Sequence, residues 1–433
     1  MLNLIGVAIA FTVVILLIRK RYNFGISLIL GSIIIGIFSL QTIEIADIPR
    51  AMLEATIYHF EDQPLQSIIY SFDYHQLYAE TIELALLMTL IFILAKLMQE
   101  TGAIKKLIDS LRTFFSNGGT LGVIPAIYGL MPVPGGALFS APMMDEEGDK
   151  YRISKDEKNF LNVWFRHIWF AIYPISSAMI LICSDKFSDI NIYYLVAINI
   201  PAFIASIAVG IFYLRKFIKK VPNREKNTKR DYSGLVYLLP PVVPLFFYGL
   251  LQFLDFPQIR SFLIGMIFSI ILLYFITRIK LNEFLQIIKK SLTWKLALAI
   301  FGIMIFREMF ETSGATILIA DIIGSLPFPA IIVIIIIPIL LGILTGYNLG
   351  AVALSYPLVE PFFQFTGINI VGLTSIIFIS SLVGYLISPI HLCNVLSSEY
   401  MKTDTTRMYK MYIPSAISLL LVQTISMMLI FAI

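Results

Sequence analysis

The sequence predicts an all-α polytopic membrane protein built as two inverted-topology repeats, each of five transmembrane helices plus one re-entrant hairpin. Three observations predict it. Hydrophobic residues make up 58% of the 433-residue chain and charged residues only 14%, far below the roughly 25% charged content of a soluble domain. Lys and Arg gather in loops that alternate with long apolar runs. An apolar stretch broken by Pro and Gly occurs twice, with its punctuating residues in register.

The first apolar run, 2–18, is followed by Arg19, Lys20 and Arg21. A secretory signal carries its positive charge ahead of the apolar region, so this run reads as a retained span with its N-terminus outside. Run 24–40 returns outward, and segment 41–80 carries seven acids against the single Arg50, which suits an external position. Run 81–99 crosses inward to Lys105, Lys106 and Arg112; runs 160–183 and 193–214 complete the first half. Eight Lys and Arg between 215 and 231 mark a cytoplasmic basic linker, assigned to 215–233.

The second half repeats the plan with spans 235–254, 261–277, 294–311, 370–393 and 411–431. Basic loops at 278–295 and around Lys402, Arg407 and Lys410 fall on the same side as the linker, as the positive-inside rule requires. Both termini are then external, in a plasma or inner membrane. The repeats are 1–214 and 234–433. Five spans is an odd number, so the two halves sit in opposite orientations.

The broken stretch of the first half holds Pro125, Gly129, Pro132, Pro134, Gly135, Gly136, Ala137, Ser140 and Pro142. Its echo holds Pro338, Gly342, Gly350, Ala351, Ser355 and Pro357, with an offset drifting from about 213 to about 215 over the stretch. A spanning helix needs about 20 apolar residues, and the arms here are mostly shorter. The loop charges also return each stretch to its side of entry. The expectation is two hairpins, one at about 119–144 entered from the cytoplasm and one at about 328–363 entered from outside.

Non-helical backbone at membrane depth is tolerated where it lines a cavity, and restarting helices aim their N-terminal amides there, which favours an anion. Interrupted segments at matching positions of two inverted halves are the best sequence pointer to a transporter's site. The candidate binding residues at the tips are Pro134, Gly135, Gly136, Ser140, Thr345, Gly346, Asn348, Gly350 and Ser355. A second layer of breaks centres on Pro174, with Ser176 and Ser177, and on Pro389, with Ser388, His391 and Asn394. Freed carbonyls and hydroxyls there suit Na⁺, a transient coupling ion near the tips. Ionisable residues inside the membrane are functional candidates by default, so Arg166, His167 and Arg307 are candidate charge partners. Cys183 and Cys393 stand alone, and His59, His75, His167 and His391 have no metal-ligand spacing, so neither a metal centre nor another cofactor is expected.

Two inverted five-span repeats with hairpins and Pro-broken following helices resemble the ion transporter superfamily, which includes divalent-anion/sodium symporters and citrate, gluconate and arsenite permeases. The strings MPVPGGALFSAP (131–142) and SPIHLCN (388–394) look closest to a prokaryotic integral membrane family of unknown function within it. The resemblance covers essentially the whole chain. It implies a homodimer of scaffold and transport domains, an elevator-like motion and a substrate between the two tips. The paired Ser-Asn-Thr tip motifs of the dicarboxylate symporters are absent, so a dicarboxylate substrate and sodium coupling do not carry over.

The function expected is secondary active transport of a small anion, a carboxylate foremost, coupled to Na⁺ or H⁺. The partners are that anion, the lipid bilayer and a second copy of the chain; nucleic acid is not among them. A channel or a non-transporting membrane component stays open as an alternative. A membrane-embedded hydrolase using Ser140 or Ser355 ranks below both, since no base stands at a motif spacing and no enzyme activity is expected.

Overall fold

In the computed structural model, residues 2–56, 80–115, 118–130, 135–219, 230–324 and 329–431 are described, and every regular element among them is helical. The first half runs α1 (Leu2–Arg19), α2 (Phe24–Phe38), α3 (Asp47–Glu54), α4 (Glu80–Glu100), α5 (Ala103–Arg112), α6 (Gly119–Gly129) and α7 (Ala137–Lys150). It continues through α8 (Lys155–His167), α9 (Ser177–Ile182), α10 (Ile192–Ile198) and α11 (Ile200–Phe217). The second half holds α12 (Leu239–Gln252), α13 (Gln258–Thr277), α14 (Leu281–Ser291), α15 (Trp294–Thr312) and α16 (Ala315–Gly324). After these come α17 (Ala330–Thr345), α18 (Asn348–Val359), α19 (Ile370–Leu386), α20 (Leu392–Met401) and α21 (Thr405–Phe431). Residues 57–79, most of the expected external segment, and 220–229, the middle of the basic linker, lie outside the described residues.

Polar residues start these helices where the apolar runs begin. Asn23 accepts a hydrogen bond from the Ile26 amide at 3.2 Å, and Asn369 accepts one from Val371 at 2.9 Å. Ser154 and Glu157 close a reciprocal cap at the head of α8, satisfying amides that the helix itself leaves unpaired.

Among the described residues, six helical stretches are long and apolar enough to cross a bilayer: Leu2–Arg19, Glu80–Glu100, Ile200–Phe217, Ser233–Gln252, Gln258–Thr277 and Thr406–Phe431. Four of the ten expected spans hold no such helix. Run 24–40 forms the 15-residue α2. Run 294–311 forms the 19-residue α15, which carries Lys295, Arg307, Glu308 and Glu311. Runs 160–183 and 370–393 are each interrupted, the first between His167 and Ser177 and the second between Leu386 and Leu392.

The chain forms two compact units that cut across its two sequence halves. One comprises Met1–Thr89, Thr293–Ile337 and Ala353–Gly367; the other comprises Leu90–Leu292, Pro338–Val352 and Ile368–Ile433. In the first unit α2 packs on α1 and α15. Gly25 makes that crossing close, since a Cβ there would stand 2.0 Å from the Leu298 carbonyl oxygen. Small residues that let backbones approach are how helices associate without a hydrophobic driving force.

In the second unit α6 and α7 pack on each other, α8 packs on both, and α20 packs on α7 and α8. Helix α6 has 11 residues and α7 has 14, so they rise about 16 and 21 Å. Neither alone crosses the roughly 30 Å of hydrocarbon. Helices α19 and α11 pack on α21. The second broken stretch is divided: its inner residues, 338–352, belong to this second unit and its outer arms to the first.

Candidate functional site

The site is assembled in the second unit from two tips and two helix breaks. At the first tip, α6 ends at Gly129 and α7 begins at Ala137. Pro134 lies outside the described residues. Gly135 has φ +69°, a left-handed conformation that a side chain disfavours. Gly136 precedes α7 and provides no side-chain cap for its amides.

Arg166 holds this tip from α8. It is 1% exposed and its Nη1 donates to the Tyr128 carbonyl. A Cβ added to Gly136 would stand 2.0 Å from Arg166 Nη2, so the guanidinium lies against the backbone where α7 starts. The first break meets the same tip, because Tyr173 Oη donates to the Leu130 carbonyl at 2.9 Å. Pro174 is buried in that break, and Ser176 caps α9 by accepting from the Met179 amide at 3.3 Å. Ser177 is the half-buried first residue of α9.

Ser140 is placed differently from the sequence expectation of a tip residue. It is fully buried, and its Oγ donates to Asn162 Oδ1 at 2.6 Å. Asn162 Nδ2 in turn donates to the Ala137 carbonyl at 3.0 Å and to Ser397 Oγ at 2.8 Å. One α8 residue, Asn162, thus ties α7 to α20. Sequence reasoning missed it, although two asparagines three residues apart at the entry of the apolar run 160–183, Asn159 and Asn162, are a signal for buried polar contacts.

At the second tip, α17 ends at Thr345, Gly346 has φ +61°, and α18 begins at Asn348. Thr345 Oγ1 donates back to the Leu341 carbonyl at 2.7 Å. Gly350 is buried in the first turn of α18. The arm leading in lies on α19, where a Cβ on Gly384 would stand 2.2 Å from the Ile339 carbonyl oxygen.

Both tips touch the second break. A Cβ on Gly346 would meet Ile390 at 2.7 Å, and one on Gly135 would meet Leu396 at 2.6 Å and Leu392 at 3.3 Å. Ser388 Oγ donates to the Ile343 carbonyl at 2.7 Å, joining the break to the α17 arm. Asn394 Nδ2 donates to the Leu386 carbonyl at 3.0 Å, satisfying an acceptor that α19 leaves unpaired where it stops. Pro389 sits exposed within this break.

Two buried polar atoms here have no hydrogen-bond partner among the described residues: Asn348 Oδ1 and Asn394 Oδ1. Such atoms in a native fold call for a ligand, an ion or water.

A further group was not visible in the sequence. His167, His391 and Cys393 are all buried and offer ligand atoms within 4.8 Å of one another. They share no sequence spacing except the short His391-Leu-Cys393 pair, which was the available clue. His167 Nδ1 lies 2.6 Å from the Val163 carbonyl and its Nε2 lies 3.3 Å from Tyr385 Oη. The expectation that Cys393 is an isolated apolar-face cysteine is therefore revised, while Cys183 is buried away from any such group among the described residues.

Arg307 and Ser355 belong to the first unit. There Arg307 pairs with Glu311 at 2.8 Å and Glu360 at 3.2 Å, and its guanidinium lies over the Tyr356 ring. All of these partners lie within the first unit. Ser355 is fully buried in α18.

Outside the spans, Lys158 is buried and pairs with Asp145 at 2.7 Å and Asp149 at 2.6 Å. Burial presses its pKa down, but the hydrogen bonds of the two carboxylates outweigh it and hold the ammonium above its ordinary value.

Long apolar helices, together with helices that stop and restart around buried polar groups, define an all-helical multi-pass membrane protein. The chain shares its fold with the YdaH transporter of Alcanivorax borkumensis, whose crystal structure is described as revealing an unusual topology. The two align with a TM-score of 0.50 and 11% identity over 87% of this chain and 94% of that one. Among curated proteins none matches the chain. Residues 3–430 match the family model described as "Protein of unknown function (DUF401)". The chain belongs to that family.

Proposed function

We propose that the protein is a secondary active transporter of a small anion, a carboxylate foremost, driven by Na⁺ or H⁺ and working by alternating access. The observation that carries this reading is the meeting of both tips on one broken helix, with Gly346 against Ile390 and Gly135 against Leu392 and Leu396. Two interrupted helices converging on a third is the arrangement in which transporters expose main-chain groups to substrate. Anion selectivity follows from Arg166 on Gly136, at the head of α7. A buried guanidinium and a helix N-terminus both favour negative charge.

The fold shared with YdaH supports a transporter over an enzyme. Ser140 also speaks against a hydrolase, since its hydroxyl is engaged by Asn162. We further infer that each broken stretch is a re-entrant hairpin of an inverted repeat. The working molecule is a homodimer in the plasma or inner membrane, with both termini external and the 215–233 linker cytoplasmic. Elevator-like movement of the second compact unit would carry the tips and the breaks together, since all of them belong to it.

Binding reads out as added stability. A thermal-shift screen of the purified protein against carboxylates and inorganic anions, with and without Na⁺, tests the proposal. The expected result is a concentration-dependent rise in Tm for one carboxylate class, absent in Arg166→Gln. A rise equal in both proteins, or no rise across the panel, contradicts an anion site at the first tip.

A further inference from the structure

The three groups around the second break have a chemistry that anion transport does not use. We propose that His167, His391 and Cys393 form a binding site for a borderline-to-soft transition-metal cation of the Zn²⁺ class. This inference goes beyond the transport reading and stands on separate observations.

The ligand set is the first of these. Two imidazoles and a thiol are the donors that suit Zn²⁺ and its neighbours, whereas hard cations such as Na⁺ or Mg²⁺ take oxygen. The ligand atoms lie within 4.8 Å of one another. Tetrahedral Zn²⁺ ligands at about 2.0–2.3 Å from the metal stand roughly 3.3–3.8 Å apart. Small side-chain rotations close that gap, and the His167 and His391 rings already lie 4.8 Å apart, centroid to centroid.

The hydrogen bonding is the second. A carbonyl can only accept, so His167 Nδ1 carries the proton it donates to Val163 at 2.6 Å. In neutral imidazole this leaves the Nε2 lone pair for a ligand, which would replace the Tyr385 hydroxyl now 3.3 Å from it. Metal-binding histidines are oriented this way, by donation of the other ring N–H to a carbonyl or carboxylate. His391 is 1% exposed, and its ring faces the Cys393 thiol and the Leu386 backbone, so a ligand nitrogen and the sulfur already stand side by side.

The placement is the third. His391 and Cys393 flank the restart of α20 at Leu392, and His167 ends α8. One ion would fasten the end of α8 to the break that both tips touch. Three protein ligands leave one tetrahedral position open, the pattern of sites that exchange a ligand rather than closed structural sites. Binding deprotonates Cys393, so a proton leaves for solvent as the Zn–S bond forms.

The test uses the full chain in detergent, with no affinity tag and after chelator treatment. Zn²⁺ is titrated against a competing chromophoric chelator, and Co²⁺ serves as a spectroscopic surrogate. The expected result is one metal per chain, with a sulfur-to-cobalt charge-transfer band. Because the chain has two cysteines, Cys183→Ser keeps the band and Cys393→Ser loses it; His391→Gln weakens Zn²⁺ binding by at least about tenfold. A wild-type chain without the band overturns the site, as does one that binds Zn²⁺ no better than Cys393→Ser does. Since the wild-type spectrum decides first, the outcome does not depend on the variants folding. Zn²⁺ binding without anion transport would leave this site standing and remove only the transport reading.

Discussion

Gly136 is the residue on which the anion reading turns. Its missing side chain is what admits Arg166 to the start of α7, because an added Cβ would stand 2.0 Å from Nη2 and 2.4 Å from Cζ. Arg166 is buried and cannot swing into open solvent. Gly136→Ala should therefore displace the guanidinium and cut anion uptake at least about tenfold, equivalent to about 1.4 kcal/mol of lost interaction, with expression retained. Normal uptake by this variant would detach Arg166 from the substrate.

Lys158 supports a second residue-scale prediction, on pH. Its folded-state pKa is raised by Asp145 and Asp149. The pairs therefore stabilise fully below the unfolded lysine value, about 10.4, and that stability is lost as pH rises through the higher folded value. Thermal unfolding should show an alkaline loss in the wild type that Lys158→Met lacks. Identical alkaline profiles would show that the lysine charge contributes nothing. Its pairing was not legible in the sequence, where Asp145, Asp149 and Lys158 fall in one charged run with no spacing that singles out partners.

At the scale of elements, the breaks were legible and their repair was not. Pro174 and Pro389 stand out as proline inside apolar runs, and proline interrupts a helix by removing a donor and clashing upstream. Which group then satisfies the freed carbonyl depends on side-chain geometry that no local pattern encodes. At the second break Asn394 serves Leu386 and Ser388 serves Ile343. Asn394→Leu leaves a buried carbonyl unpaired and should cost about 1–3 kcal/mol, read as a fall in Tm. An unchanged Tm would mean that another donor reaches Leu386. The His167, His391 and Cys393 group was hidden for the same reason: His167 lies on a different helix, far away in sequence.

At the scale of the whole molecule, hydropathy and loop charge located the apolar helices, because burying a span and excluding Lys and Arg are both local costs. The compact units were not legible. They cut across the sequence halves and assign the inner part of the second broken stretch to one unit and its outer arms to the other. That division depends on long-range packing, including the Gly384–Ile339 approach, which no local sequence pattern encodes. The proposed orientation is testable at this scale. A single cysteine in place of Lys226, in a chain with Cys183 and Cys393 replaced by Ser, should react with an impermeant maleimide only from the cytoplasmic side. Labelling of intact cells from outside would invert the topology.

The central claim is that two tips and a broken helix bind an anion and carry it across the membrane. The most direct measurement is uptake of a radiolabelled carboxylate, chosen by the thermal-shift screen, into liposomes containing the purified protein under an imposed Na⁺ or H⁺ gradient. The account predicts saturable accumulation that collapses when the gradient is dissipated and is lost in Arg166→Gln. Flux that is unsaturable and follows only the membrane potential, or uptake unchanged in Arg166→Gln, would contradict it.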